Sequence, residues 1–357
     1  MRPSYDIPMQ APGLGPPASS DGAPAWTCPD PLTTGRLVRQ ALRDFQSGDA
    51  YGAKAVIQPS GRELLALLDS DQLDPRFANE RLNWKLNALV SANQRYCATK
   101  LVGSNAYNRL HGLPRSQSLI VLYEKLSMRP LAIFDGTEIS ARRTGAYASI
   151  VVDTLLAARN PLSIMLFGAG PIADCVIDDL HAHHGARIDR ITVVTRSPAS
   201  APRFAARARQ RTGLPVTFAQ DKQTAGHADL VITATNTRAP VLTREDVSER
   251  SVLLHLGGDE LGPDLVAWML EDGRVVCDDV DTVSHRNSQS LALYFSRTGR
   301  TLHDAARDYR IGNLPTLLSQ PVTATRSGPA LVTCVGLPVL DLYLAQWAYE
   351  QPQRAIG

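Results

Sequence analysis

The chain has 357 residues, of which 44% are hydrophobic and 20% are charged, and its formal net charge is +2. This length and composition allow two domains with sizeable hydrophobic cores. Because the small net charge comes without a clustered basic face, we expect no nucleic-acid partner, and because no run of about 18 apolar residues exists, we expect no membrane span.

Two features of the chain predict a cytoplasmic location. Residues 1–28 are rich in Pro, Gly, Ala and Ser and lack the charged and apolar regions of a signal peptide, so we expect a disordered leader. The five cysteines are widely spaced, odd in number and without a CxxC pair. This pattern is typical of reduced thiols and predicts no structural metal site.

Residues 31–155 alternate between helical and strand patterns. A first helix is followed by LNALVSA and YCATKLVGS, which predict a hairpin, and by SLIVLYEK and RPLAIFDG, which predict a second strand pair. The stretch ISARRTGAYASIVVDTLLAAR predicts one long helix, which Asn160-Pro161 ends.

Residues 162–281 predict a parallel, doubly wound sheet. Short apolar strands such as SIMLFG, RITVVT, DLVITAT and SVLLHLG alternate there with amphipathic helices, which is the pattern of an α/β fold of the Rossmann type. Residues 282–320 predict polar helices. The tail, PALVTCVGLPVLDLYLAQWAYEQ, predicts a strand and an apolar-faced helix that return to the first domain.

The stretch SIMLFGAGPIADCVI predicts a dinucleotide-binding turn. Gly168 permits a tight turn, Gly170 lets the backbone approach a pyrophosphate, and Ala173 allows close contact between helix and sheet. Pro171 and Ile172 begin the helix, whose unpaired N–H groups and dipole favour a phosphate. Such a motif alone is weak support, but its position between a strand and a helix makes the prediction strong.

The residues expected at the two ends of a bound dinucleotide follow later strands. Thr195, Arg196 and Ser197 occupy the position that reads the adenosine ribose. Hydroxyl groups and a cation there favour the 2′-phosphate, so we expect NADP, with NAD as the alternative if Arg196 is only solvated. Thr235 and Asn236 are expected near the nicotinamide, unless they are ordinary turn residues.

Three polar residues outside the glycine turn fit a small amino-acid substrate. Lys100 ends an apolar strand, where its ammonium needs a carboxylate or a ligand. Arg143 is one of two adjacent arginines that suit a substrate carboxylate, and Asp259 follows a strand whose end faces the cofactor crevice. Each alone is more often a surface or ion-pair residue, but together they predict a substrate site.

The chain resembles the ornithine cyclodeaminase/μ-crystallin family. The matching stretches follow the family's order through most of residues 81–347: TKLVGSNAYNRLHGLPRSQSLIVLYE, RPLAIFDGTEISARRTGAYAS, MLFGAGPIAD, ADLVITATN, HLGGDELGPDLV and CVGLPVLDLYLAQ. The resemblance implies a Rossmann domain, residues 159–321, inserted into a smaller α+β substrate and dimerisation domain, residues 29–158 and 322–350. It also implies a homodimer.

The same resemblance implies roles for individual residues. Lys100 matches the active-site lysine, Arg143 the arginine that binds the substrate carboxylate, and Asp259 the acid–base aspartate. A second carboxylate-binding arginine falls on Arg81, although the spacing there departs from the family's. The implied activity is NAD(P)-dependent chemistry on the α-amine or imine of a small or N-substituted amino acid.

Within the family, LPRSQSLIVL and VVCDDVDTVSHRNS are similar to the dehydrogenase branch that forms 2,3-diaminopropionate. The cyclodeaminases differ after Asp259, where this chain has Glu-Leu-Gly-Pro-Asp instead of Cys-Pro-Gly-Lys. We therefore expect an enzyme of 2,3-diaminopropionate or secondary-metabolite biosynthesis. The alternatives are an ornithine or lysine cyclodeaminase, a ketimine reductase, and a crystallin-like protein that binds NADPH without turnover.

Overall fold

The computed structural model describes residues 26–58, 63, 84–196, 200–219, 222, 225–237, 239–320 and 328–351. They form an antiparallel sheet of five strands and a parallel sheet of eight strands, with helices around both. The first elements in the chain are α1 (Pro31–Ser47), β1 (Tyr51–Ile57), β2 (Lys85–Ala92), β3 (Tyr96–Ser104), β4 (Ser116–Glu124) and β5 (Pro130–Asp135).

The antiparallel sheet has the strand order β1-β2-β3-β4-β5, and both predicted strand pairs are confirmed. Its inner face is buried, and its register places Lys54 beside Leu89 and Leu89 beside Lys100 on neighbouring strands. Because directly paired residues point to the same face, these three side chains share the inner face. The outer face exposes large apolar side chains, among them Ile57, Leu86, Val90, Leu101 and Ile133.

The long helix predicted from the sequence is in fact two helices, α2 (Gly136–Gly145) and α3 (Tyr147–Leu155), so that prediction was wrong. The Asp135 side chain caps α2 by accepting a hydrogen bond from Thr137 N at 2.8 Å. Gly145 packs directly on the helix Pro171–His184, where an added Cβ would lie 2.6 Å from the carbonyl carbon of Cys175. Because α2 ends at Gly145, Arg143 lies in its last turn.

The chain then enters the parallel sheet. Its elements are β6 (Leu162–Phe167), α4 (Pro171–His184), β7 (Ile188–Val194), α5 (Ser200–Thr212), β8 (Val216–Ala219), β9 (Leu230–Thr233), β10 (Val252–His255), α6 (Pro263–Asp272), β11 (Arg274–Cys277), α7 (Val280–Arg286), α8 (Ser290–Ser296), α9 (Leu302–Ala306), β12 (Gly312–Asn313), α10 (Leu314–Leu318), β13 (Ala330–Thr333) and α11 (Pro338–Glu350). The strand order is β12-β11-β13-β10-β9-β6-β7-β8, which confirms the doubly wound α/β fold. The order reverses at β6, which creates a crevice between β6 and β9.

The predicted tail divides between the two sheets. Strand β13 pairs with β10 and β11 inside the parallel sheet, whereas α11 packs on the inner face of the antiparallel sheet and on α1. The segment 322–350 thus contributes to both sheets, and the division into a Rossmann domain and a split second domain stays a prediction.

The N-terminal end of the described chain is packed against the fold. Trp26 lies edge-on to Phe134 with ring centroids 5.3 Å apart, and Cys28 packs on the main core. Residues 26–28 of the predicted leader therefore belong to the fold, and the rest of the leader lies outside the described residues. All five cysteines are free thiols. Among the described helices, none combines the length and the apolar character needed to cross a membrane.

Candidate functional site

The glycine turn after β6 has an open surface at the crevice. Gly168 has φ 118°, and an added Cβ would lie 2.6 Å from the Ala234 carbonyl oxygen, so the position requires glycine. An added Cβ at Gly170 would meet no protein atom within 4 Å. Pro171 begins α4, and Ala173 is buried beneath the turn. The turn therefore offers space and helix N–H groups where a pyrophosphate fits.

The predicted ribose-reading segment follows β7, the neighbour of β6. Thr195 Oγ1 lies 3.2 Å from Ser200 Oγ, and Arg196 is exposed at the end of the strand. Ser197 lies outside the described residues. The position of Thr195 and Arg196 beside the glycine turn agrees with the expected geometry of a dinucleotide site.

The turns after β9 and β10 are tied together by a buried carboxylate. Glu260 Oε1 accepts a hydrogen bond from Thr235 N at 2.6 Å, and Glu260 Oε2 lies 3.5 Å from His255 Nε2. Burial lowers the pKa of His255. Asn236, next to Thr235, is exposed. Sequence reasoning noted Glu260 as a departure from the cyclodeaminases but missed this role in holding the two turns.

Asp259 lies beside that buried carboxylate and is itself nearly buried. One of its oxygens, Oδ2, pairs with the half-exposed Arg297. The other, Oδ1, has no hydrogen-bond partner among the described residues. A buried carboxylate oxygen without a donor is available to accept a proton or a hydrogen bond from a ligand.

Lys100 is buried on β3 and forms an ion pair with a carboxylate, as expected for a lysine in an apolar strand. Its Nζ lies 2.8 Å from Asp341 Oδ1 on α11 and 2.8 Å from Ser140 Oγ on α2. Burial lowers the pKa of Lys100 to about 8, and nearby Arg143 acts in the same direction, while Asp341 opposes the shift. Sequence reasoning missed Asp341, although a carboxylate in an otherwise apolar helix was a visible signal.

Arg143 connects this cluster to the parallel sheet. Its Nε lies 3.4 Å from Asp341 Oδ1, the same oxygen that Lys100 contacts. Its guanidinium packs on Gly336, in the turn that follows β13, where an added Cβ would overlap the guanidinium. Lys100 and Arg143 therefore lie together at the carboxyl edge of the parallel sheet.

The turn that carries Gly336 is held from two further directions. The buried Asp278, whose pKa burial raises, accepts hydrogen bonds from Gly336 N at 2.7 Å and from Tyr147 OH at 2.9 Å. Arg286, the last residue of α7, donates from Nη1 to the Val335 carbonyl oxygen at 2.6 Å. Arg143 and Arg286 therefore both contact the short turn that contains Val335 and Gly336.

A second lysine faces the same cluster from β1. Lys54 lies across β2 from Lys100, so their Cα atoms are about 10 Å apart. Burial and the nearby cations, Arg286 first among them, lower the pKa of Lys54 to about 6. A lone lysine in the apolar stretch YGAKAVI was the available sequence signal, and it was missed. Arg81, the predicted second arginine, lies outside the described residues.

His183 and His184, the last two residues of α4, lie beside carboxylates. His183 Nδ1 lies 3.2 Å from Asp179, and His184 Nε2 lies 3.3 Å from Asp153. Within the described part of the chain, no three His, Cys, Asp or Glu side chains are grouped as a metal site requires.

The chain matches a protein-family model and several known proteins. A family model described as the ornithine cyclodeaminase/mu-crystallin family matches residues 72–353. An alanine dehydrogenase of Archaeoglobus fulgidus is 26% identical over 230 residues, which are 64% of this chain and 70% of the relative. A Delta(1)-pyrroline-2-carboxylate reductase of Bacillus cereus is 24% identical over 297 residues, which are 79% of this chain and 85% of the relative.

A solved structure has the same fold. It is the Delta(1)-pyrroline-2-carboxylate reductase of Thermococcus litoralis in complex with NADH and L-proline, with a TM-score of 0.75 and 20% identity. The superposition covers 91% of this chain and 94% of that chain. The likeness extends over both sheets described above.

Proposed function

This chain belongs to the ornithine cyclodeaminase/mu-crystallin family, and we propose that it is an NAD(P)-dependent oxidoreductase acting on the α-amine or imine of a small or N-substituted amino acid. The observation that carries the proposal is the packing of Arg143 on Gly336, because it brings a cationic cluster to the sheet edge that also holds the glycine turn. The names of the two relatives, an alanine dehydrogenase and a pyrroline-2-carboxylate reductase, agree with this class.

The cofactor of the proposal is a nicotinamide dinucleotide, and NADP is preferred over NAD. Gly168, Gly170 and the start of α4 would hold the pyrophosphate, while Thr195 and Arg196, with Ser197, would receive a 2′-phosphate. The position of Thr235 and Asn236 after β9 supports a role near the nicotinamide. Binding titrations with NADPH and NADH test the preference, since equal affinities would remove the case for NADP.

Three residues carry the proposed chemistry. Arg143 and Lys100 bind the α-carboxylate of the substrate and so fix the position of its α-carbon. The open Oδ1 of Asp259 accepts the proton that leaves the amine, or the proton of an attacking water. Arg81 stays in the proposal as a second carboxylate contact.

The proposed substrate is an N-linked amino-acid conjugate. The nicotinamide, when bound, would supply the hydride acceptor for the substrate α-carbon. With the loss of the amine proton to Asp259, the C–N bond becomes C=N. Water then adds to the imine carbon and the C–N bond breaks, which yields a primary amine and a 2-oxo acid. In the favoured branch of the family the amine released is 2,3-diaminopropionate.

One experiment separates this proposal from its alternatives. The purified protein is incubated with NAD or NADP and a panel of amino acids and N-carboxyalkyl amino acids, and reduced cofactor and products are measured. Net cofactor reduction with release of a 2-oxo acid supports the proposal. Loss of ammonia from ornithine or lysine without net reduction identifies a cyclodeaminase, and cofactor binding without turnover of any substrate identifies a non-catalytic protein.

The proposal includes a homodimer in a reducing compartment such as the cytoplasm. The outer face of the antiparallel sheet exposes a large apolar surface, and such surfaces are commonly buried in an interface with a second copy of the same chain. A structure with the same fold is described as an alanine dehydrogenase dimer with bound NAD. The five free thiols agree with a reducing compartment.

A further inference from the structure

The cationic cluster around Gly336 holds more positive charge than its carboxylates balance. Its four cationic side chains are Lys54, Lys100, Arg143 and Arg286. Asp341 serves Lys100 and Arg143 through one oxygen, Oδ1. Among the described carboxylates, none forms an ion pair with Lys54 or Arg286.

Asp278 is the other carboxylate near the cluster, but its hydrogen bonds are already made. It accepts from Tyr147 OH and from the backbone N–H groups of Val335, Gly336 and Asp279. These bonds fix the turn and leave its oxygens saturated. Lys54, with a pKa of about 6, is neutral near pH 7, so with Asp278 ionised the other three basic side chains exceed these two carboxylates by one positive charge, and by two once Lys54 is protonated.

Arg286 is placed for a ligand other than the cofactor pyrophosphate. Its anchor, Val335, follows β13, and β13 is separated from β6 by β10 and β9. Three strand spacings correspond to about 14 Å. The pyrophosphate position at the start of α4 is therefore out of reach of a guanidinium held on the turn after β13.

We propose that Arg286 binds a second, non-reacting carboxylate of the substrate, so that the site selects amino or imino acids with at least two carboxylates. The inference rests on the proposed function, in which Lys100 and Arg143 take the α-carboxylate. Arg286 has one Nη1–H bond committed to Val335 and keeps the rest of its donors for a carboxylate. Lys54, on which Arg286 acts more strongly than any other cation, adds a second positive charge when it takes up a proton with the bound anion.

The test compares two ligands that differ by one carboxylate, 2-oxoglutarate and 2-oxobutanoate, on the NADPH-loaded protein. Dissociation constants are measured by calorimetry for the wild type, Arg286→Gln, Arg286→Lys, Arg143→Gln and the exposed control Arg307→Gln. Thermal unfolding of each variant is recorded in parallel. Arg286→Lys retains a charge and a donor for the Val335 carbonyl oxygen, so it remains informative if the Gln variant unfolds.

We expect the wild type to prefer 2-oxoglutarate by about 10- to 100-fold, the range that one charge-assisted contact supplies. Arg286→Gln should remove that preference by weakening the dicarboxylate alone, Arg286→Lys should reduce it, and Arg143→Gln should weaken both ligands. A wild type without the preference, or an Arg286 variant that weakens both ligands equally, overturns the inference. A preserved preference without NAD(P)-dependent turnover of any substrate contradicts the proposed function instead.

Discussion

Asp341 is the carboxylate on which two buried cations of the cluster depend. Its side chain is 2% exposed and contacts both Lys100 and Arg143. Asp341→Asn leaves those charges without an anion, and removing one partner from a buried pair costs roughly 3–5 kcal/mol. We expect a loss of that size in the free energy of unfolding, measured by urea denaturation.

The matched control for that change is Asp308→Asn. Asp308 pairs with Arg300, but the two side chains are 60% and 43% exposed. A solvent-exposed pair contributes about 0–1 kcal/mol, so the control should remain close to the wild type. Equal losses in the two variants would show that Asp341 does not hold buried charge.

Lys100 gives the proposed reaction a pH dependence. Its pKa of about 8 means that the free protein loses this charge as the pH rises through that value. Because only the protonated lysine attracts a carboxylate, kcat/KM should fall above pH 8, by about tenfold per pH unit at high pH. Lys100→Arg should move the fall to higher pH, since an arginine stays protonated.

A control lysine makes that profile specific. Lys125 follows β4 and donates to the Asn93 carbonyl oxygen rather than to a member of the cluster, so Lys125→Arg should leave the profile unchanged. If Lys100→Arg is active and keeps the fall near pH 8, a different group is titrating. The comparison is made with one substrate and saturating cofactor.

For single residues, the sequence predicts that a buried charge requires a counter-charge more readily than it predicts which residue supplies it. A lysine in the apolar strand YCATKLVGS indicates that a counter-charge lies nearby in the fold. The counter-charge, Asp341, is 241 residues away in the chain, and no local pattern specifies that pairing. Asp259 was found from its place after a strand, whereas its contact with Arg297 needed the packed structure.

The glycine turn is the element whose prediction is easiest to test. Gly168→Ala forces an L residue into a positive φ and against the Ala234 carbonyl oxygen, so we expect a loss of stability of roughly 1–3 kcal/mol and weaker cofactor binding. Gly170→Ala meets no protein atom. It should leave thermal unfolding unchanged and weaken NADPH, as followed by fluorescence titration.

The two glycine variants check each other. If Gly170→Ala binds NADPH as the wild type does, the pyrophosphate does not approach that backbone and the assigned site is wrong. If Gly168→Ala unfolds at the wild-type temperature, the tight turn is not under the constraint described above.

Elements with a local cause were predicted well, and those decided by packing were not. The hairpins and the turn after β6 follow from alternation and from glycine position. The break between α2 and α3 arises where Gly145 meets Cys175 of α4, a contact between elements that helical periodicity does not contain. The helical periodicity of the sequence therefore predicts one long helix, and tertiary packing divides it into two.

For the whole molecule, the outer face of the antiparallel sheet decides the proposed assembly. Val90 and Leu101 are 48% and 42% exposed on that face. We expect the double variant Val90→Glu with Leu101→Glu to sediment as a monomer, because charges in an apolar interface are costly to desolvate. Phe218→Glu, on the edge strand β8 of the other sheet, should remain a dimer.

The outcome of that experiment is unambiguous. A wild-type protein that sediments as a monomer would contradict the homodimer directly. A double variant that remains dimeric would place the interface elsewhere on the molecule. Circular dichroism of each variant checks that the fold is retained.

The division of the tail between two sheets has a consequence for the order of events during synthesis. Strand β13 lies between β10 and β11, and α11 covers the inner face of the antiparallel sheet. Domains usually fold as they leave the ribosome, the N-terminal one first. Here the parallel sheet lacks an internal strand, and the antiparallel sheet lacks the helix that covers its inner face, until residues 330–350 have emerged, so neither core can close before those residues are synthesised.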